Sequence, residues 1–314
     1  ADTSGTTNLP LAIEEVPQSI SLVSNDFLNA ADLRSLGEVA QYTPGAMFAG
    51  DQEGFGTIVK LRGFTAGTAF DGLTINDLNY EPDSATVERM EIVKGPSSVV
   101  YGQASPGGLI NLVSKSATRS TPSYVSASGG SWDRWRLEGQ LAGALDAAGS
   151  IRAIGVAVHE EAGSFLDIAN SNKTVLYAGI DADLTSNVTA YVHGGYERYR
   201  RTSFDGIPTL ADGSIVNLDR SFFIGSDDYN LTTKVWRANA GISWEVSPMW
   251  SIDLKTNYQN TKTVGPAPYA YSLQANGDFN FKIQNFLDRS DEDFAIGASS
   301  VYKLDDVGLD GSFV

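Results

Sequence analysis

From about Ser123 onward, apolar and polar residues alternate with a period of two, the mark of strands with one greasy and one wet face. Between Arg134 and Ala144, Trp135, Leu137, Gly139, Leu141 and Gly143 fall on one side, opposite Arg136, Glu138 and Gln140. Between Lys234 and Glu245, Trp236, Ala238, Ala240, Ile242 and Trp244 oppose Arg237, Asn239, Ser243 and Glu245. The same alternation predicts strands over 122–129, 150–160, 174–184, 187–203, 250–259 and 294–304, about eight in all. Each is roughly the 10 residues that a tilted strand needs to cross a bilayer. Trp236 and Trp244 lie about 26 Å apart along their strand, or roughly 19 Å across a membrane at 45° tilt, which puts an indole near each interface.

The connections alternate as well. "LDAAGS", "DLTSN", "EVSPM" and "LDDVG" are short, whereas Phe204–Tyr229 and Pro266–Ser290 read as long polar links. Short turns at one end and long loops at the other are the habit of outer-membrane barrels. A soluble all-β binding module, built as a sandwich, also alternates, but its strands run mostly to five or six residues.

The first 118 residues have another texture. Pro17 to Val23 reads as a strand. A helix is expected over "FLNAADLRSLGEVAQYTPG", capped near Asn25-Asp26 and stopped by Pro44-Gly45. Ile58 to Phe64 reads as a short strand, and "DGLTIND" has turn residues at both ends. Then comes "VERMEIVKGPSSVVYGQASPGGLINLVSK" (87–115). This is a charged strand, a break at Gly95-Pro96, a turn or two of helix over Ser97–Tyr101, a turn at Ser105–Gly108 and a strand over Leu109–Val113.

Composition narrows the chemistry. With no cysteine and only His159 and His193, thiolate and cysteine–metal chemistry are excluded and a His-based triad has little to draw on. The net charge of −16 argues against nucleic acid as a partner. "HEE" at 159–161 sends neighbouring side chains to alternate faces, so no metal site is expected there. No paired-carboxylate or nucleophile constellation stands out, and no enzyme activity is expected. No run of about 18 apolar residues is present, which says nothing of a barrel.

The stretches "RSLGEVAQYTPG" (34–45), "LRGF" (61–64), "DGL" (71–73) and 87–115, in this order and spacing, resemble the plug domain of TonB-dependent outer-membrane receptors of the ferric-siderophore, ferrichrome-type family. The resemblance implies an α+β plug over 1–118. The N-terminal part of an antiparallel transmembrane β-barrel follows over 119–314, about eight of an expected 22 strands and so an incomplete barrel. It further implies no cofactor, a location in the bacterial outer membrane among its lipid, and active import of a ferric siderophore energised by TonB. Cobalamin, haem or a glycan is the alternative cargo. The family's hydrophobic TonB-binding box is not visible in "ADTSGTTNLPLAIEEVPQ".

Candidate residues follow from the same resemblance. Arg62 in "LRGF" matches an arginine near the ligand, where a guanidinium offers a fork of donors to anionic or hydroxamate oxygens; a structural ion pair is the alternative. Phe64 and Tyr80 are aromatic candidates for an amphipathic chelate. Glu88 and Arg89 are expected to latch the plug to the barrel, the partners of Arg89 lying on strands outside the chain.

Overall fold

The computed structural model describes residues 18–51, 57–75, 82–96, 105–204, 206–210, 212–274, 276, 278–303 and 312–313. Tyr80, the helix expected over 97–101 and the "LDDVG" turn lie outside the described residues. In chain order the N-terminal unit contains β1 (Ser19–Ser24), β2 (Ala46–Asp51), β3 (Thr57–Leu61), β4 (Phe64–Thr65), β5 (Gly67–Phe70), β6 (Leu73–Ile75), β7 (Val87–Lys94) and β8 (Gly108–Ser114). Five strands form a sheet in the order β1-β7-β8-β5-β6, and β2-β3-β4 form a second, smaller one. Among the described strands of this unit, only β5 and β8 run parallel.

The single expected helix is two: α1 (Asn25–Ala30) and α2 (Leu36–Gln41), separated by Asp32 at φ 51°. A second cap inside the run explains the break. Ser35 Oγ accepts from the Glu38 amide at 3.1 Å while Glu38 returns a carboxylate to the Ser35 amide at 3.0 Å, a reciprocal capping box. The cap of α1 is Ser24, one residue earlier than expected. Leu28, Leu36 and Val39 of these helices pack on Val87, Met90, Ile92, Ile110 and Leu112 of the sheet.

The "LRGF" segment is not a continuous strand. Leu61 pairs with Phe64 across a two-residue turn whose Arg62 and Gly63 both have positive φ, 50° and 88°. Asp71 and Gly72 (φ 49° and 86°) make the same turn between Phe70 and Leu73. Both are the mirror-image hairpin turns whose twist matches the flanking strands, a geometry common for Asp-Gly and unusual for arginine.

The second half is one antiparallel sheet in sequence order. It comprises β9 (Tyr124–Gly129), β10 (Trp135–Ala144), β11 (Ile151–Gly163), β12 (Asn170–Thr185), β13 (Val188–Thr202), β14 (Asn230–Ser247), β15 (Trp250–Tyr271) and β16 (Asn280–Lys303). The two-residue β17 (Ser312–Phe313) extends it. All eight expected strands are present; among the described residues they do not close into a barrel. The expected loop over 266–290 is largely strand, because β15 and β16 stay paired out to Tyr271 and Asn280. β16, at 24 residues, is roughly 80 Å long and so extends well past a hydrocarbon core of about 30 Å.

The faces of this wall are inverted relative to a soluble sheet. Leu176, Ile180, Val192, Trp236, Trp244 and Leu254 point outward and stand exposed. Polar side chains of the opposite parity, among them Gln140, His193, Asn239, Asn257, Gln259 and Thr261, are buried. What buries several of them is the N-terminal unit, packed against this polar side of the wall. Ala85 and Ala117 share a small apolar cluster with Ile154, Val156, Val158 and Val175 of the wall.

Candidate functional site

The chemistry concentrates along the seam between unit and wall. Asp83 precedes the 3-10 turn Ser84–Thr86 and caps it, Oδ1 accepting from the Ala85 amide at 3.0 Å. The same carboxylate receives both arms of a wall guanidinium, Arg136 Nη2 at 2.7 Å and Nη1 at 3.0 Å. Arg136 also donates to Glu138 at 2.7 Å and Glu160 at 3.1 Å, and Lys173 Nζ stands 3.4 Å from Asp83. The Asp83 amide in turn donates to Glu197 at 3.2 Å. Burial alone would raise the Asp83 carboxyl, but the Lys173 charge and the Arg136 fork outweigh it and hold it well below the usual carboxylate range.

Further contacts tie the seam. At the Asp71-Gly72 turn, Asp71 accepts from the Ser114 amide and hydroxyl, each at 2.8 Å, and from wall Asn239 at 2.6 Å. Beside it the Arg237 guanidinium lies 3.7 Å above the ring of buried Phe70, a cation–π contact. Where the chain leaves β8, the Ala117 amide donates to Asp181 at 2.7 Å, and Asp181 meets His193 Nε2 at 3.1 Å. The Tyr177 hydroxyl donates to the Lys115 carbonyl. Lys115 Nζ reaches wall Gln140 at 2.8 Å; burial pushes this ammonium down from its ordinary value, opposed chiefly by Glu138.

Arg62 is exposed at its turn, and a Cβ built on Gly95 would lie 3.0 Å from its Nη1. Lys94, next to Gly95, donates to Ser21 at 2.8 Å. Burial and then the Arg62 charge lower its pKa. Phe64, also exposed, lies against the Ser105–Gly108 turn: a Cβ on Gly107 would fall 2.3 Å from the Leu61 carbonyl and 2.9 Å from Phe64 Cβ. Glycine at 107 is therefore what lets the Arg62 hairpin dock. Arg89 is paired within its own unit, Nε to the fully buried Glu91 at 2.8 Å. Glu88 is exposed. Among the described residues, the closest ion pair from unit to wall runs through Asp83, which sequence reasoning missed. The Asp-x-x-Thr cap before β7 and a lone arginine on the wet face of β10 were its available signals.

Residues 12–109 match the family model for the TonB-dependent receptor plug domain. The chain belongs to the TonB-dependent receptors. It is 28% identical to the ferric-pyoverdine 358 receptor of Pseudomonas putida over 88% of this chain and 35% of that protein. It is 31% identical to the metal-pseudopaline receptor of Pseudomonas aeruginosa over 88% of this chain and 39% of that one. The crystal structure of the ferripyoverdine receptor of the Pseudomonas aeruginosa outer membrane superposes with a TM-score of 0.84, at 22% identity, over 95% of this chain and 41% of that one. The receptor chain thus spans less than half the length of these relatives. In the family's terms, the N-terminal unit is the plug and the long sheet is barrel wall.

Proposed function

We propose that this receptor resides in the bacterial outer membrane and imports a ferric siderophore by TonB-dependent active transport. The plug occupies about residues 1–118 and the wall begins near 119. The observation that carries the reading is the inverted wall: apolar side chains outward, polar ones inward, and the plug held against the wet side by buried charge. A lumen blocked in this way passes solute only when the plug moves, and pulling on the plug is the work assigned to TonB.

Recognition on the plug is assigned to Arg62, Phe64 and Tyr80, with Glu88 and Arg89 as further latch groups. On the wall, Tyr199 carries cations on both flanks, Lys173 at 5.3 Å and Arg201 at 5.2 Å from its ring, on the same side as Glu197. That group suits an anionic chelate with aromatic parts. The metal-pseudopaline relative supports a second reading, in which the cargo is another metal chelate.

Uptake of iron-55 siderophores by cells expressing the receptor, with and without TonB, tests the function. Uptake that requires both proteins is expected. Uptake indifferent to TonB, or confined to iron-free solutes such as cobalamin, overturns it.

A further inference from the structure

We infer that an anionic ferric chelate pauses in transit at a second site, in the cavity between plug strand β6 and wall strands β15 and β16, held by the Lys255 ammonium and the Asn257 amide. This rests on the transport reading above and adds the flank of the plug past which the solute moves.

The plug is held unevenly. Toward β10–β14 it is fixed by the buried Asp83–Arg136 pair and by the hydrogen bonds Asn239 to Asp71 and Ala117 to Asp181. Strand β6 lies against β15 and β16, yet among the described residues it makes no hydrogen bond or ion pair with them. Its fit there is steric: a Cβ built on Gly297 would fall 2.7 Å from Leu73 Cδ2. Such contact is non-directional, so β6 can part from the wall without stranding a buried charge, whereas parting at Asp83 would strand one.

A gap is already present on this flank. Gly72 and Thr74 of the plug and Asp253, Lys255, Gly297 and Ser299 of the wall line a cavity of about 440 Å³, within the range of ligand pockets. Lys255 lies opposite Gly297, and Asp253 opposite Ser299. The Asp253 carboxylate accepts from the Ser243 hydroxyl. Lys255 is not answered in this way: among the described residues nothing accepts from its ammonium. Next on the same face, Asn257 is 2% exposed and its Nδ2 has no acceptor among the described residues. A buried donor left unmade is costly unless a ligand completes it. The two groups sit two residues apart on one strand, roughly 7 Å, which one chelate can span. Carboxylate or hydroxamate oxygens suit Lys255, and an amide carbonyl suits Asn257.

The approach is built in the same strand. On the inward side of β15 toward the long link, Gln259, Thr261 and Thr263 are buried and uncharged. From Thr263 to Asn257 they form a column of neutral donors and acceptors about 20 Å long. A solute moving along it exchanges one hydrogen bond for the next and meets the first charge of that side at Lys255.

The test compares surface binding in cells lacking TonB with uptake in cells that have it, using iron-55 loaded into pyoverdine or ferrioxamine B, whichever the wild type imports. Lys255→Gln and Asn257→Ala are each expected to keep surface affinity within about twofold and to cut the uptake rate at saturating chelate at least tenfold. Lys255→Arg, which keeps the cation, should recover most of that rate. Lys234→Gln, an exposed lysine on β14, is the control and should match the wild type. Full-rate uptake by both Lys255→Gln and Asn257→Ala overturns the site. So does surface binding that falls in step with uptake, which would place these residues at the outer site or in the fold. Wild-type uptake indifferent to TonB would instead overturn the transport reading, an outcome that no variant result can produce.

Discussion

Asp83 Oδ1 and Arg136 Nη2 meet at 2.7 Å in a place where neither side chain sees solvent, one on the plug and the other on the wall. A buried pair of this kind is weak evidence for stability, since desolvation offsets much of the attraction. Breaking it from one side is costly, because a charge is left behind. Arg136→Ala leaves Asp83 with Lys173 as its remaining ion-pair partner, and Glu138 and Glu160 with only the longer contacts to Arg34 and Arg134. It is expected to destabilise plug docking by about 3–5 kcal/mol, seen as faster hydrogen exchange at residues 83–94.

The same carboxylate sets an acid limit. Its folded pKa lies below the ordinary value of 3.8, so its contribution is complete above that value and is lost as pH falls through the lowered one. Plug protection against protease should therefore be flat from pH 7 to about 5 and decline below about 4. Asp83→Asn should weaken docking at neutral pH and remove this component of the decline.

Gly108 has φ 132°, and a Cβ there would lie 2.0 Å from the Val93 carbonyl. Gly108→Ala cannot keep both the backbone and the β7–β8 pairing. A loss of about 1–3 kcal/mol in plug stability is expected, measured by chemical denaturation, with the wall unaffected.

Of the residues proposed for recognition, Arg62 is exposed at its turn and outside the core. Arg62→Ala should leave folding unchanged and weaken ferric-siderophore binding about tenfold to a hundredfold, read by tryptophan fluorescence titration. Equal affinity for wild type and variant would remove Arg62 from the site.

Much of this architecture was legible in the chain. A two-residue period survives any tertiary context, so the wall strands and their outward faces, Trp236 and Trp244 among them, could be read directly. Their ends could not: pairing of β15 with β16 extends both into a segment that looks like polar loop, because strands that project beyond a membrane no longer need an apolar side. Within the plug, propensity suggested one helix, and the Ser35–Glu38 capping box made two. The seam was hidden for a plainer reason. Asp83 and Arg136 are 53 residues apart, and nothing local tells that a carboxylate before a short turn will be buried against a distant strand.

Whether the exposed apolar face of the wall meets lipid is most directly measured with single-tryptophan variants retaining Trp236 or Trp244, reconstituted into vesicles with brominated lipids. Both indoles should be quenched by bromine near the interface and shielded from iodide in water. Strong iodide quenching of either one, with no response to brominated lipid, would contradict a membrane wall.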